Sequence, residues 1–443
     1  MRVLALVDGE HYPPVTRWGL HAARAMGHDV IAALFLGGTE KVFPGALPDL
    51  GVLTIRAGAD LADALAEALD AVRPEAVLDC SDEPVLGYHE RMELAAVALA
   101  RGVPYLGPDF RLDPPISGPP LPVPTVAVIG TGKRTGKTAF GGEVARVAAR
   151  KGLTPIVVAM GRGGPPEPQV AMAGSVDLRH LLDLARRGEH AATDYLEDAV
   201  TSGVTTIGAR RFGGGLAGAP LVTNVREAAE RAVKLGADLV VLEGSGSSVP
   251  PVPWDAGILV VPASAPPEYL GGYLGPYRLL LSDLVVLTMA GSPTTGPENL
   301  LALRSHVQRS RGDARLIVTD FEPVPLGDVR GKEAFFTTTA PGDAAARQVA
   351  SLQATHGCRV VGWSARLADR AGLAEDLDKA GGYEVLLTEL KAAAVDVASE
   401  KALARGAEVV FVDNRAVVVE GDADLPTVLG EIIELARDRR EAR

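Results

Sequence analysis

The chain has 443 residues, of which 47% are hydrophobic and 23% are charged, and it carries a formal net charge of −12. This length exceeds what one ordinary core needs and predicts two or three domains that fold without help from disulfides. The acidic balance excludes a general nucleic-acid-binding surface, although a local cationic pocket for small anions is compatible with it.

The cysteines and the apolar runs point to a cytoplasmic protein. Cys80 and Cys358 are far apart, which argues against a disulfide framework or a cysteine metal site. The N-terminal run "MRVLALVDGEH" meets an acidic residue too early for a signal peptide, and Asp283 interrupts the apolar run "YRLLLSDLVVLTMAG". We therefore expect neither nucleic acid nor a membrane as a partner.

Short apolar runs alternate with amphipathic segments in the first part of the chain, for example "RVLALVDG", "DVIAALFLGG" and "EAVLDCSDEP". Buried strands that alternate with helices form parallel sheets. Residues 1–110 are therefore predicted to be a smaller Rossmann-like α/β domain that covers the active site. Residues 111–124 are rich in proline and are predicted to be a linker.

A second alternation starts at residue 125, with the apolar runs "TVAVIG", "TPIVVAMG", "DLVVLEG", "GILVVPAS" and "DLVVLTMAG". Short β-branched runs flanked by glycine are typical of a doubly wound, mostly parallel sheet. We predict a P-loop NTPase-type nucleotide-binding domain over residues 125–365. A C-terminal α/β extension is predicted over residues 366–443, with a strand, a helix, a strand and a hairpin between residues 383 and 421.

The segment "GTGKRTGKT", residues 130–138, has the character of a phosphate-binding loop. The strict pattern G-x-x-x-x-G-K-[ST] requires glycine where Thr131 stands, which is accommodated if the loop is one residue longer and starts at Gly130. A predicted strand precedes the segment and a predicted helix follows it, as such a loop requires. The predicted nucleotide contacts are Gly130, Thr131, Gly132, Thr135, Gly136, Lys137, Thr138 and Ala139.

The Thr138 hydroxyl and Glu243 are the predicted Mg²⁺ ligands. Phosphoryl transfer needs an acidic residue near the metal, and Glu243 ends the buried run "ADLVVLEGSG". Asp238, which precedes that run, is the weaker candidate.

Arginines accompany two further glycine-rich segments. Arg162 lies in "AMGRGGPPEPQ", and Arg210 and Arg211 precede the glycines of "GARRFGGGLAG". A guanidinium group binds phosphate or carboxylate through two parallel hydrogen bonds. We therefore predict that these three arginines bind an anionic substrate.

His11, in "DGEHYPPVTRW", follows the first predicted strand. It is predicted to be either a substrate contact or part of an ordinary polar strand end, and both alternatives stay open. A metal-ligand role is disfavoured because no second histidine is close in sequence.

The motifs "LVDGEHYPPV", "LFLGGTEK", "GTGKRTGKT", "MGRGGPPEP", "RRFGGGLAG" and "LEGSGSS" follow one another across nearly the whole chain. In this order they resemble the cyclic 2,3-diphosphoglycerate synthetase family. The resemblance implies an ATP-dependent ligase (cyclase) that converts 2,3-diphosphoglycerate into its cyclic intramolecular phosphoanhydride and releases ADP and phosphate. ATP and Mg²⁺ are the expected cofactors.

The loop and the "EGSG" strand end also resemble dethiobiotin synthetase, which supports the longer loop and the metal role of Glu243. Lys133 and Arg134 depart from that enzyme, whose loop is neutral or acidic. With Lys137 they are the predicted catalytic residues. Lys137 would hold the β- and γ-phosphates, whereas Lys133 and Arg134 would bring the γ-phosphate and a polyanionic acceptor together.

Two alternatives stay open at this point. A nucleotide-driven maturation factor or switch would use a related loop, although the chain lacks Asn-Lys-x-Asp, Cys-x-x-Cys and histidine-rich segments. A phosphoglycerate-type kinase would stop after simple phosphoryl transfer. Whether the chain forms a homodimer is also open.

Overall fold

The computed structural model describes residues 1–291 and 295–443. The first part of the chain forms a six-stranded sheet with three helices. Its elements are β1 (Arg2–Val7), α1 (Pro13–Ala25), β2 (Asp29–Phe35), β3 (Leu53–Arg56), α2 (Leu61–Val72), β4 (Ala76–Asp79), α3 (Tyr88–Ala100), β5 (Tyr105–Leu106) and β6 (Arg111–Leu112).

The strand order of this sheet is β3-β2-β1-β4-β5-β6, and every neighbouring pair except β5–β6 is parallel. Strand β1 is buried on both faces because Leu4 and Leu6 enter one core, whereas Val3 and Ala5 enter the other. The predicted Rossmann-like arrangement is confirmed. The strand order reverses between β1 and β4, which brings the residues that follow these two strands to one edge.

The rest of the described chain forms a thirteen-stranded sheet. Its strands are β7 (Thr125–Gly130), β8 (Pro155–Gly161), β9 (Gln169–Ala171), β10 (Thr206–Phe212), β11 (Val222–Thr223), β12 (Leu239–Glu243), β13 (Ala256–Pro262), β14 (Leu284–Thr288), β15 (Arg315–Pro325), β16 (Glu333–Thr337), β17 (Arg359–Ser364), β18 (Val385–Glu389) and β19 (Glu408–Glu420). The helices are α4 (Lys137–Arg150), α5 (Leu178–Arg186), α6 (Asp194–Ser202), α7 (Val225–Lys234), α8 (Glu268–Gly271), α9 (Gly275–Leu280), α10 (Pro297–Ser310), α11 (Gly342–His356), α12 (Arg370–Lys379), α13 (Glu400–Ala404) and α14 (Leu425–Glu441), and a π-helical turn spans Ala394–Ser399.

Strand β7 lies in the middle of the parallel part of this sheet, between β12 and β13. Its residues alternate between two cores: Ala127 and Ile129 face one, and Val126 and Val128 face the other, which α4 and α14 cover. The predicted doubly wound, mostly parallel sheet is confirmed. The loop after β7 therefore opens at the carboxyl edge of the sheet, beside the ends of β12 and β8.

The large sheet continues without a break into the C-terminal part of the chain. Strand β19 is one continuous strand that pairs in parallel with β18 and antiparallel with β15, so the predicted hairpin is wrong. Its polar centre stays in the strand because Asp413 pairs with Arg146 and Asn414 donates to Glu389. The division at residue 365 stays a prediction, although β16 pairs with strands on both sides of it.

Candidate active site

The loop between β7 and α4 is shaped by two glycines. A Cβ atom on Gly130 would lie 2.8 Å from Thr135 Oγ1 and 3.0 Å from the carbonyl oxygen of Val260. Gly136 has a φ of 101°, and a Cβ atom there would lie 2.5 Å from Phe321 Cζ. A larger residue at either position would displace the loop, so these glycines fix its path into α4.

Lys137, the first residue of α4, is buried beneath the loop. Its Nζ atom donates to the carbonyl oxygen of Gly132 at 2.7 Å and to the hydroxyl of Thr135 at 3.2 Å. Burial is the main cause that lowers the pKa of Lys137 to about 8; the charges of Glu243 and Asp194 oppose this shift, and those of Arg162 and Arg211 add to it. Because Lys137 is the first residue of α4, its ammonium group lies at a helix N-terminus, where phosphate oxygens bind. The other predicted loop contacts, Thr131, Gly132, Thr138 and Ala139, are half-buried.

Glu243 ends β12 and is buried beside α4, with 3% of its surface exposed. Its Oε1 atom has no hydrogen-bond partner, and a Cβ atom on Gly141 would come within 1.8 Å of it. Burial raises the pKa of Glu243 to about 8, and the charges of Asp194 and Glu197 raise it too. An unpartnered buried carboxylate is unfavourable, so this position suits a bound cation.

Gly141→Ala tests this packing directly. The new methyl group would overlap the Glu243 carboxyl, and we expect overpacking to lower the free energy of unfolding by about 1–3 kcal/mol. Gly142→Ala is the matched control, because its nearest neighbour would be Ser202 Cβ at an ordinary 3.5 Å. Replacing a helical glycine without a clash raises stability by up to about 1 kcal/mol. Urea denaturation of both variants measures the difference; equal midpoints would contradict the position of Glu243.

Helix α6 brings three acidic side chains to this site that the sequence analysis missed. Asp194, Glu197 and Asp198 share one helical face because of their spacing. Asp198 is fully buried and neither of its carboxyl oxygens has a hydrogen-bond partner. Burial raises the Asp198 pKa well above its usual range, and the neighbouring Glu243 charge raises it further. The spacing in "TDYLEDAV" is the signal that could have found these residues.

The C-terminal part of the chain also reaches this site. Lys391, which follows β18, lies 3.3 Å from the carboxylate of Glu197. Arg146 of the helix that follows the loop pairs with Asp413 of β19 at 3.2 Å. These two ion pairs connect the C-terminal strands to α6 and α4, which carry the acidic residues and the loop lysine.

Two of the predicted substrate-binding arginines converge on the turn after β12. Arg211 is buried and donates to the carbonyl oxygens of Gly213 at 2.7 Å and Ser245 at 2.9 Å. A Cβ atom on Gly246 would lie 2.7 Å from Arg162 Nη2 and 3.3 Å from Arg211 Nη2. The glycine at 246 therefore leaves space for two guanidinium groups near Lys137.

Arg210 lies apart from this pair. Successive residues of a strand point to opposite sides, and Arg210 is exposed, with its Nε donating to the carbonyl oxygen of Gly164 at 2.7 Å.

Lys133 and Arg134 are exposed on the loop, and Arg134 adopts a left-handed backbone conformation with a φ of 61°. Their side chains face solvent beside the predicted nucleotide site.

His11 lies at the edge of the smaller sheet. Its Nδ1 atom is 3.4 Å from Asp8 Oδ1, and Asp8 also accepts from the backbone nitrogen of Glu10 at 3.0 Å. The described contacts therefore give His11 an acidic neighbourhood and do not include the loop after β7. Its substrate-binding role stays a prediction.

Comparison with known proteins decides the family. Models of the cyclic 2,3-diphosphoglycerate synthetase N-terminal, P-loop and C-terminal domains match residues 2–113, 125–320 and 325–415, respectively. The cyclic 2,3-diphosphoglycerate synthetase of Rubrobacter xylanophilus is 46% identical over 99% of this chain and 97% of its own length. This chain belongs to the cyclic 2,3-diphosphoglycerate synthetase family. The synthetase of Methanothermobacter thermautotrophicus is 39% identical over 98% of this chain and 96% of its own length.

Membership of the cyclic 2,3-diphosphoglycerate synthetase family disfavours the nucleotide-driven switch and the simple kinase that the sequence left open. The family's P-loop domain covers the loop, Glu243 and Arg211. Among solved structures, the chain is similar to LpxK from Aquifex aeolicus in complex with ATP, with a TM-score of 0.43. The two sequences are 13% identical, and the match covers 80% of this chain and 96% of LpxK. This similarity is too distant to indicate function. In the described part of the chain, no helix has the length and apolar character that a membrane span needs.

Proposed function

We propose that this chain is an ATP-dependent ligase that closes 2,3-diphosphoglycerate into its cyclic phosphoanhydride and releases ADP and phosphate. The main support for this function is the grouping of Lys137, Glu243, Arg162 and Arg211 at one sheet edge in a chain related to these synthetases over 99% of its length. Such a site combines a phosphate loop, an acidic metal position and a cationic pocket for a second anion.

The nucleotide half of the site fits ATP with Mg²⁺. The backbone of the loop and the Lys137 ammonium would hold the β- and γ-phosphates. Thr138 and Glu243 would hold Mg²⁺, which neutralises phosphate charge when bound. Among the described residues no group of three or more His, Cys, Asp or Glu side chains is arranged to hold a metal ion. This agrees with Mg²⁺, which is usually bound by one or two carboxylates together with substrate phosphates.

The acceptor half is formed by cations. Arg162 and Arg211 would bind the phosphates or the carboxylate of 2,3-diphosphoglycerate, and Lys133 and Arg134 would bridge the acceptor and the γ-phosphate. Arg210 and His11 are predicted substrate contacts with weaker support, since Arg210 lies apart from the arginine pair.

The chemistry follows in two displacements. An ionised phosphate oxygen of the acceptor attacks the γ-phosphorus, the bond to the bridging oxygen of ADP breaks, and ADP leaves with that electron pair. The neighbouring acceptor phosphate then attacks the phosphorus of the new diphosphate that is bonded to the glycerate oxygen. The bond from this phosphorus to the bridging oxygen breaks, and inorganic phosphate leaves with that electron pair as the ring closes. The nucleophiles are already ionised, so charge repulsion is the main barrier. Preorganised cations in a site that excludes water reduce that barrier.

The stoichiometry of released products tests this function. A cyclising ligase releases one ADP and one phosphate for each 2,3-diphosphoglycerate consumed, whereas a simple kinase releases ADP alone. Parallel assays of ADP and phosphate with 2,3-diphosphoglycerate, and with 3-phosphoglycerate as a control, measure both. Release of ADP without phosphate would overturn the cyclisation step.

Arg134→Ala tests the bridging role of the loop cations. We expect the KM for 2,3-diphosphoglycerate to rise about tenfold, because one charged hydrogen bond is lost, while the KM for ATP changes little. Arg134→Gly removes the same charge but also relieves the left-handed backbone, and should have the same kinetic effect. Arg179→Ala, at an exposed position on α5, is the surface control. Normal turnover by both Arg134 variants would exclude the bridging role.

A further inference from the structure

Arg278 on α9 is a buried arginine, hydrogen-bonded to the turn after β12, that the sequence analysis did not single out. Only 6% of its surface is exposed. Its Nη2 atom donates to the carbonyl oxygens of Ser247 at 2.7 Å and Leu216 at 3.4 Å, and its Nη1 atom donates to that of Leu274 at 3.1 Å. The Nε atom is buried without a partner.

Arg211 has the same unusual environment. Like Arg278, it donates to backbone carbonyl oxygens and has a buried Nε atom without a partner. Within residues 1–291 and 295–443, neither arginine forms an ion pair with a carboxylate. A buried cation without a counterion is costly, so each of these arginines favours the binding of an anion near the segments that it holds.

The two arginines hold the same pair of segments together. Arg211 connects Gly213 to Ser245, and Arg278 connects Leu216 to Ser247, so each joins the loop after β10 to the turn after β12. The backbone nitrogen of Val249 also donates to Gly218 at 2.9 Å.

Close packing and a left-handed backbone explain why position 218 of this loop is glycine. A Cβ atom on Gly218 would lie 2.8 Å from the carbonyl oxygen of Ser247 and 3.2 Å from Arg278 Nη2. Gly218 also has a φ of 89°, a conformation that favours glycine. The contact between the loop and the turn therefore depends on Arg278 as well as on Arg211.

Arg278 also lies where the two sheets meet. Its neighbour Tyr277 is fully buried in the same core as Leu94 and Leu99 of α3, in the smaller domain. Ala217, next to the carbonyl that Arg278 binds, belongs to this core as well. The smaller domain therefore packs against the helix that carries Arg278.

We propose that Arg278 is a positioning residue that determines the affinity for the polyanionic acceptor by clamping the loop after β10 to the turn after β12, where Arg211 and Arg162 face the substrate. The inference rests on the proposed function, since the acceptor is the substrate named there. It assigns to the smaller domain an indirect part in acceptor binding, through α9.

Arg278→Met and Arg278→Lys test the clamp. For Arg278→Met we expect the KM and the calorimetric Kd for 2,3-diphosphoglycerate to rise at least about tenfold, because a buried charged clamp is lost, with the KM for ATP within about twofold of wild type. Arg278→Lys keeps the charge but not the planar guanidinium group that donates through two Nη atoms. Its KM and Kd for 2,3-diphosphoglycerate should lie between those of wild type and Arg278→Met. Arg311→Met is the matched control, since Arg311 is partly buried and donates to the last residue of the same helix, Leu280, at 2.8 Å.

Backbone hydrogen exchange supplies a readout beside kinetics. Residues 213–218 and 244–248 should exchange faster in both Arg278 variants and remain unchanged in Arg311→Met. Equal losses of ATP and acceptor affinity, or unchanged acceptor affinity with unchanged exchange, would overturn the clamp. If Arg278→Met does not fold, Arg278→Lys decides by the same criteria. If the wild type neither binds 2,3-diphosphoglycerate nor makes a cyclic product, the proposed function fails; normal wild-type turnover with unaltered variants refutes the clamp alone.

Discussion

Lys137→Ala is expected to lower the rate of ADP release in the presence of 2,3-diphosphoglycerate by about 10²- to 10³-fold, the usual cost of losing one preorganised charge in a transition state. The ammonium group is buried at the N-terminus of α4, where it donates a hydrogen bond to the carbonyl oxygen of Gly132 in the loop. On binding phosphate it would exchange this hydrogen bond for one to a phosphate oxygen. The fold should survive, because alanine is a good helix former. A steady-state assay of ADP release, with circular dichroism to monitor folding, measures both effects.

Lys151→Ala is the matched control for this change. Lys151 follows the other end of α4 and is partly exposed, with a surface ion pair to Glu434 at 3.1 Å. Such pairs contribute little, so activity and stability should stay close to wild type. Similar losses of activity in both lysine variants would show that α4 itself, and not the ammonium at its start, had been damaged.

Glu243→Gln should have the second large effect. The amide preserves the shape of the side chain but removes a charge that a divalent cation would need, so we expect kcat to fall by about 10²- to 10³-fold. The required Mg²⁺ concentration should rise as well. Stability should change little, because the buried Oε1 atom accepts no hydrogen bond from an N–H group or a hydroxyl. Activity is measured over a series of Mg²⁺ concentrations, and stability by urea denaturation.

Glu389→Gln gives the opposite pattern and serves as the control. Glu389 is also a buried glutamate at the end of a parallel strand, but it accepts hydrogen bonds from Thr338, Thr339 and Asn414 at 2.8–2.9 Å. Disturbing this network should cost about 1–3 kcal/mol of unfolding free energy while kcat is retained. If Glu243→Gln instead loses stability and keeps its activity, Glu243 has a structural role and not a metal role.

The sequence predicted the layers of the fold because their signals are local. The apolar runs that became β1 and β7 are buried on both faces, and such runs identify parallel strands without knowledge of their partners. The hairpin predicted in the segment that ends at residue 421 was wrong because a long-range contact with Arg146 holds the polar Asp413 inside a continuous strand. Arg146 and Asp413 are more than two hundred residues apart in the chain, so no local sequence pattern predicts their contact.

The site was partly predictable for the same reason. Lys137 and Glu243 lie in short motifs at strand ends, whereas Asp198 and Arg278 are functional candidates only because of what the fold packs around them. The unpartnered oxygens of Asp198 and the unpartnered Nε of Arg278 are properties of the tertiary structure. Sequence patterns identify a charged residue but do not show whether its charge is paired.

We propose that this chain closes a phosphoanhydride ring at the expense of ATP. Phosphorus NMR of the purified protein with Mg-ATP and 2,3-diphosphoglycerate tests it most directly, with Lys137→Ala protein as the blank. We expect new resonances of a cyclic anhydride that grow in proportion to ADP and inorganic phosphate, and that are absent from the blank. ATP hydrolysis that proceeds equally without 2,3-diphosphoglycerate, and leaves no anhydride resonance, would contradict it.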